Sequence, residues 1–97
     1  MEPRQLIKSP IWDAGKYCVV CGSPEVELHH IFPGSSRKAS DRHGYIIPLC
    51  REHHTGDTGI HFNRPMALYW MKLAQRHYEA NTGTRDEFRK EFGKSYL

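Results

Sequence analysis

The sequence has only three cysteines, no long apolar run and little net charge, and each shortage argues against a class of protein. Three thiols cannot all pair, which argues against the disulfide framework of many small secreted domains. No apolar run approaches the length of a membrane-spanning helix, and the N-terminus lacks a charged-then-apolar targeting segment. A net charge of +3 is mildly basic and compatible with a polyanionic partner. We therefore expect a cytoplasmic protein with no membrane partner.

The amino-acid composition is that of a folded domain. Hydrophobic residues make up 38% and charged residues 26% of the 97 residues, which argues against disorder. A chain this short buries a modest core, and a structural metal is one way in which such chains stay folded. We expect a single domain over residues 1–97, with an N-terminal arm at 1–16, a metal-bearing core at 17–60 and a helical extension at 61–97.

Two pairs of potential metal ligands lie on either side of the centre of the chain. The first is C-V-V-C at residues 18–21 and the second is C-R-E-H at residues 50–53. Thiolates and imidazoles are the ligands of closed tetrahedral zinc sites, and the double spacing favours such a site over buried thiols with an unrelated histidine. We therefore predict a structural Zn²⁺ held by Cys18, Cys21, Cys50 and His53. His54 is adjacent and is the alternative fourth ligand, although the C-x₂-H spacing favours His53.

Turn and cap signals divide the chain into short strands and helices. The predicted elements are strands over 26–32 and 45–49, an exposed polar loop over 34–44, a short helix over 50–55, a long helix over 65–80 and a last helix opened by a capping box at 84–87. Asn63 is the predicted N-cap of the long helix, whose apolar residues we expect in the core. Trp12 in the arm is expected to pack back on the domain. The order of these elements predicts a small α+β fold.

Histidines outnumber what the zinc site requires. His29 and His30 lie between the two ligand pairs, and His54 directly follows the second pair. A purely structural zinc ribbon leaves these three histidines without a role, so their presence favours an enzyme. His43 and His77 are expected to be surface residues.

The segments C-V-V-C-G, H-H-I-F-P and P-L-C-R-E-H-H, which fall within residues 17–60, resemble the zinc-bearing HNH endonucleases of the His-Me finger (ββα-metal) superfamily. The resemblance is to the small stand-alone HNH proteins of phages and prophages. It implies a ββα-metal core on a structural zinc with C-terminal helices packed against it. It also implies metal-dependent hydrolysis of DNA phosphodiester bonds in the cytoplasm of a bacterial or phage-infected host cell.

The resemblance also assigns roles to individual residues. His30 matches the general base that activates a water, and imidazole titrates close enough to neutral pH for that task. His29 and His54 match ligands of a catalytic divalent ion, which could be Mg²⁺, Mn²⁺, Ni²⁺ or Zn²⁺. His61 either lines the same site as a further ligand or lies outside it. Tyr45 occupies the position of the family's middle asparagine, which holds the loop between the strands by backbone hydrogen bonds.

Two further interpretations stay open from the sequence. Arg37, Lys38 and Arg42 lie between the two predicted strands and either contact phosphate or form an ordinary solvated loop. The alternative to a nuclease is a non-catalytic zinc-binding module that binds nucleic acid or a protein partner. Backbone binding to nucleic acid would be mostly electrostatic and therefore sensitive to salt.

Overall fold

The computed structural model describes the backbone of residues 7–9 and 12–15 and the whole of residues 17–97. Across these residues the chain forms two antiparallel two-stranded sheets and four α-helices, which confirms the small α+β class. In chain order the elements are β1 (Ile7–Ser9), β2 (Trp12–Gly15), β3 (Glu27–His30), α1 (Arg37–His43), β4 (Ile46–Leu49), α2 (Arg51–His54), α3 (Arg64–Asn81) and α4 (Arg85–Phe92). Short 3₁₀ turns at Gly34–Ser36 and Ile60–Phe62 precede α1 and α3.

The hairpin of β3 and β4 positions the candidate site. The strands pair from Glu27 opposite Leu49 to His30 opposite Ile46. Side chains alternate across β3 as a strand requires, so Leu28 is 54% exposed whereas His29 is only 6% exposed. The β1–β2 hairpin lies against β4. The side chain of Trp12, expected to pack on the domain, lies outside the described residues.

Residues 34–44 are not the exposed loop that the sequence predicted, because most of them belong to α1. Ala39 and Ser40 are buried on the inner side of this helix, while its charged residues face outward. Gly44 ends the helix in the left-handed conformation with a φ of 74°. A seven-residue helix with one apolar residue has no recognisable period in the sequence, so its formation depends on tertiary packing.

The C-terminal helices begin where the sequence predicted. The Asn63 side chain accepts a hydrogen bond from the Met66 N–H at the start of α3. Thr84 and Glu87 form the reciprocal capping box of α4. These caps satisfy backbone donors that would otherwise lack partners, so local chemistry alone fixes both starting points.

An aromatic cluster joins the β3–β4 hairpin to α4. The Phe32 ring lies 4.6 Å from that of Phe92, which stacks on Phe88 at 4.5 Å. Tyr45 is fully buried in the same core. The hairpin is thereby held against the helical half of the domain. No helix in the described part of the chain is both long and apolar enough to cross a membrane.

Candidate metal centres

Cys18, Cys21, Cys50 and His53 converge on one point, and we call this group the thiolate cluster. Their ligand atoms all lie within 4.8 Å of one another. The Sγ atoms of Cys21 and Cys50 are 3.7 Å apart, and Cys50 Sγ is 3.2 Å from His53 Nδ1. Ligands about 2.3 Å from a tetrahedral zinc ion lie roughly 3.8 Å from each other, so the spacing fits such an ion. The thiolate cluster can bind a metal such as zinc.

Local backbone structure prepares the thiolate cluster. Gly22 adopts a φ of 79°, which a side chain would disfavour, and its N–H donates to the Cys18 carbonyl at 2.9 Å. Burial raises the pKa of Cys18, but hydrogen bonds from the backbone at Cys50, Cys21 and Val20 outweigh it and lower that pKa to about 6. The thiolate of Cys18, which is its metal-binding form, is therefore favoured at neutral pH.

His29, His54 and His61 form a second group, the histidine cluster. Their ligand atoms also lie within 4.8 Å of one another, and the three ring centroids are 4.9 to 5.3 Å apart. Burial, followed by the nearby rings of His54 and His61, lowers the pKa of His29 to about 3. A neutral imidazole has a free lone pair, so His29 is in the form that binds a metal.

A close turn returns the chain to the histidine cluster after α2. The Gly59 N–H donates to the Gly56 carbonyl at 2.9 Å. A Cβ atom at Gly59 would lie 2.7 Å from the carbonyl oxygen of His54, so only glycine allows this approach. The following 3₁₀ turn then places His61 beside His29 and His54.

Glu27 orients one member of the histidine cluster. Its Oε1 atom accepts a hydrogen bond from His54 Nδ1 at 2.8 Å, and Arg51 lies 3.6 Å from the other carboxylate oxygen. The hydrogen bond from His54 lowers the pKa of Glu27. With its proton held on Nδ1, the neutral His54 ring has Nε2 free, and this atom could bind a metal. Nothing in the sequence distinguished Glu27 from other surface carboxylates.

His29 and His30, which alternate on a strand, nevertheless line one surface cleft. β3 ends at His30, and the chain turns there. The cleft has a volume of about 240 Å³. We call it the histidine cleft, and it is lined by Leu28, His29, His30, Pro33, Gly34, Arg37, His54 and His61.

Asp41 on α1 holds the ring of His30. The distance from His30 Nε2 to Asp41 Oδ1 is 2.7 Å, and the His30 side chain is only 15% exposed. A carboxylate only accepts hydrogen bonds, so the proton of the neutral ring lies on Nε2 and Nδ1 becomes its acceptor. Sequence reasoning missed Asp41, because it treated residues 34–44 as a loop.

Tyr45, at the family's asparagine position, is a core residue. Its ring is fully buried and its hydroxyl hydrogen-bonds to His77 Nδ1 at 3.1 Å. The side chain that bonds to the backbone after β3 is instead Ser40, whose hydroxyl accepts from the Phe32 N–H at 3.0 Å and donates to the Phe32 carbonyl at 3.1 Å. Ser40 thus supplies backbone hydrogen bonds of the kind expected from the asparagine.

The remaining candidate residues lie in different parts of the structure. Arg37 lines the histidine cleft, whereas Arg42 donates two hydrogen bonds to Glu91 on α4, at 2.8 and 3.0 Å. Lys38 is exposed on α1. His43 was expected at the surface, but its side chain is only 19% exposed and lies 2.7 Å from the same Glu91 carboxylate. His77 is half-buried and hydrogen-bonded to the fully buried Tyr45, so neither histidine is fully exposed as expected.

The two clusters differ in chemistry. The thiolate cluster has soft ligands, while the histidine cluster has three imidazoles beside an open cleft. Comparisons of the chain with protein-family models, curated proteins and solved structures found no significant match.

Proposed function

We propose that the chain is a metal-dependent HNH-type endonuclease that hydrolyses DNA phosphodiester bonds. The observation that carries this proposal is the convergence of His29, His54 and His61 beside His30 in one cleft. In this proposal β3, β4 and α2 are the ββα-metal unit, and the thiolate cluster holds its structural zinc. A module with a structural zinc alone would not need a second, open group of metal ligands next to a further histidine.

The histidine cluster would hold the catalytic ion. Three imidazoles suit Zn²⁺, Ni²⁺ or Mn²⁺ better than Mg²⁺, which prefers oxygen ligands. A bound ion would neutralise charge on the phosphate and on the leaving oxygen. Glu27 keeps the proton of His54 on Nδ1, so that Nε2 is free to bind.

His30 would act as the general base. Its Nδ1 atom accepts the proton of the attacking water, while Nε2–H stays hydrogen-bonded to Asp41. The carboxylate of Asp41 fixes this tautomer and stabilises the positive ring that results. Asp41 is therefore a positioning residue in this proposal. Arg37, at the edge of the cleft, carries the positive charge that would contact a neighbouring phosphate.

A plasmid-nicking assay tests this function. Supercoiled plasmid is incubated with wild type and with His30→Ala in the presence of Mg²⁺, Mn²⁺, Ni²⁺ or Zn²⁺. We expect nicking by wild type and a loss on the order of 10²–10⁴-fold in His30→Ala, because a general base contributes about that factor. Binding to DNA and the zinc content should survive the substitution.

His77→Gln is the matched control, because His77 is also partly buried and hydrogen-bonded but contacts Tyr45 and does not line the cleft. It should cleave as wild type does. Equal cleavage by wild type and His30→Ala would reject His30 as the base. Absence of cleavage of both supercoiled plasmid and single-stranded DNA with all four ions would reject the nuclease and leave a zinc-binding module.

A further inference from the structure

A second cavity opens beside the histidine cluster and is not used by the proposed hydrolysis. Its volume is about 390 Å³, and His29 and His61 form the wall that it shares with the cluster. The rest of its lining comes from the turn after β3, from the 3₁₀ turn Ile60–Phe62 and from the first half of α3. A phosphate bound at the histidines would therefore have its own nucleoside next to this cavity.

The floor of the cavity is formed by apolar side chains that carry no hydrogen-bonding groups. Ile31, Ile60 and Met71 line it and are 1%, 3% and 6% exposed, so they belong to the packed core. The volume lies within the range of small-ligand sites, which are mostly apolar with a few polar groups at the edge. Such a floor accepts an apolar face but does not distinguish one hydrogen-bonding edge from another.

The rim of the cavity combines an aromatic ring with a positive charge. Phe62 is 72% exposed, the highest value among the large apolar side chains of residues 17–97. Arg64, at the first position of α3, lines the same rim and is exposed. An aromatic face beside a guanidinium is the combination by which proteins hold an unstacked base and its adjacent phosphate.

We propose that this cavity, the base pocket (Ile31, Ile60, Phe62, Arg64 and Met71), holds one unpaired nucleobase stacked on Phe62. The inference rests on the proposed function and names its substrate: a single-stranded or locally unpaired stretch of nucleic acid. A base inside a duplex is stacked on both faces and cannot enter the pocket. The apolar floor makes the pocket tolerant of base identity.

Binding of labelled single-stranded DNA tests the base pocket without requiring cleavage. Affinities for this DNA are measured with a His30→Ala parent protein that keeps Phe62, and with the same protein carrying Phe62→Ala, Phe62→Leu or Phe62→Trp. We expect Phe62→Ala and Phe62→Leu to weaken binding by about 5- to 100-fold, and Phe62→Trp to retain it, because only tryptophan keeps a stacking face. Since Phe62 is mostly solvent-exposed, these variants should fold as wild type does.

Tyr69→Ala is the matched control. Tyr69 is also an exposed aromatic residue, at 61%, but it lies on α3 against Trp70 and does not line the cavity. A second arm replaces one base at a time by an abasic residue. One abasic position should weaken binding to the parent protein but not to Phe62→Ala, because the two changes remove the same contact.

Two results would overturn the base pocket. If Phe62→Leu binds the single-stranded DNA as tightly as the parent protein does, the contact at this position is apolar and does not require an aromatic ring. An equal abasic penalty in the parent and in Phe62→Ala would show that Phe62 does not contact a base. These outcomes can be distinguished from those of the nuclease proposal. Metal-dependent cleavage with no coupling between Phe62→Ala and an abasic position would reject only the base pocket. Such coupling with no cleavage would reject only the hydrolysis.

Discussion

At the scale of single residues, the hydroxyl of Ser40 holds the turn that follows the two histidines of β3. It is fully buried and serves both the N–H and the carbonyl of Phe32. Ser40→Ala would leave two backbone groups without partners in the core. We expect the free energy of unfolding to fall by about 2–4 kcal/mol in urea denaturation, since each buried unsatisfied group costs about 1–3 kcal/mol. Ser35→Ala, at an exposed position, should change it by less than about 0.5 kcal/mol.

At Asp41 we expect the more conservative of two substitutions to reduce nicking activity more. An asparagine amide can donate to His30 Nε2 and so move the ring proton to Nδ1, which blocks the accepting atom. We expect Asp41→Asn to lose more nicking activity than Asp41→Ala. Nitrogen chemical shifts of the His30 ring, measured by NMR, should report opposite tautomers in wild type and Asp41→Asn. If Asp41 only tethered α1 to β3, asparagine would be the milder change and the tautomer would not differ.

Tyr45 makes stability depend on alkaline pH. Burial, followed by the neighbouring Tyr78 and Glu91, raises the pKa of Tyr45 from 10.0 to about 12. Between these values the unfolded chain loses the phenolic proton before the folded chain does, so folding becomes less favourable as pH rises. The stabilisation is fully present below about pH 10, and about 2 kcal/mol of it should be lost by about pH 12.

The matched variant for this prediction is Tyr45→Phe, which keeps the ring but cannot ionise. Urea denaturation of both proteins at several pH values would give the two free energies of unfolding. Their difference should favour wild type less at about pH 12 than at about pH 9. Parallel curves would contradict a buried, neutral Tyr45.

At the scale of elements, Glu27 connects β3 to α2 through His54. Loss of such a carboxylate partner typically weakens metal binding by about 10- to 100-fold, because the ligand ring is no longer oriented. We therefore expect Glu27→Gln to weaken Zn²⁺ or Ni²⁺ binding at the weaker of two sites by that factor, measured by competition with a chromophoric chelator. Glu25→Gln, two residues earlier on the exposed surface, should bind as wild type does. Equal affinities for the two variants would remove Glu27 from the metal site.

Whether an element could be predicted from the sequence depended on whether its signals are local. Strand and helix boundaries with local signals were predictable, since the Asn63 cap and the Thr84–Glu87 capping box depend only on neighbouring residues. The convergence of the ligand pairs was also predictable from spacing. α1 was not, because its formation depends on burial of Ala39 and Ser40 by distant parts of the chain.

Partners brought together by the fold were beyond sequence reasoning for the same reason. Glu27 and His54 are 27 residues apart, and His30 and Asp41 are 11 residues apart. Each pair depends on how an element packs and not on its own composition. Tyr45 is a further case: it stands where the family that the sequence resembles has an asparagine, and the aromatic core around it makes this tyrosine a packing residue.

At the scale of the whole molecule, one short helix and its N-cap residue contribute to both candidate metal clusters. Cys50 and His53 contribute to the thiolate cluster, while His54 contributes to the histidine cluster. In a 97-residue domain a structural metal supplies much of the folding free energy. We expect Cys50→Ala to lose cooperative thermal unfolding, followed by circular dichroism, and to bind neither metal ion by elemental analysis.

His61→Ala is the matched control for this effect. Of the two clusters, exposed His61 belongs to the histidine cluster only, so its loss should weaken one metal site. The unfolding temperature, measured without any added metal ion beyond the zinc of the thiolate cluster, should be unchanged. Wild-type stability in Cys50→Ala would show that the thiolate cluster has no structural role.

The consecutive positions of His53 and His54 have a consequence for how this chain can vary. One peptide link separates a ligand of the first cluster from a ligand of the second. An insertion or deletion at that link would misalign both groups simultaneously. Grafting the site onto another scaffold therefore requires transplanting the pair of clusters as one indivisible cassette.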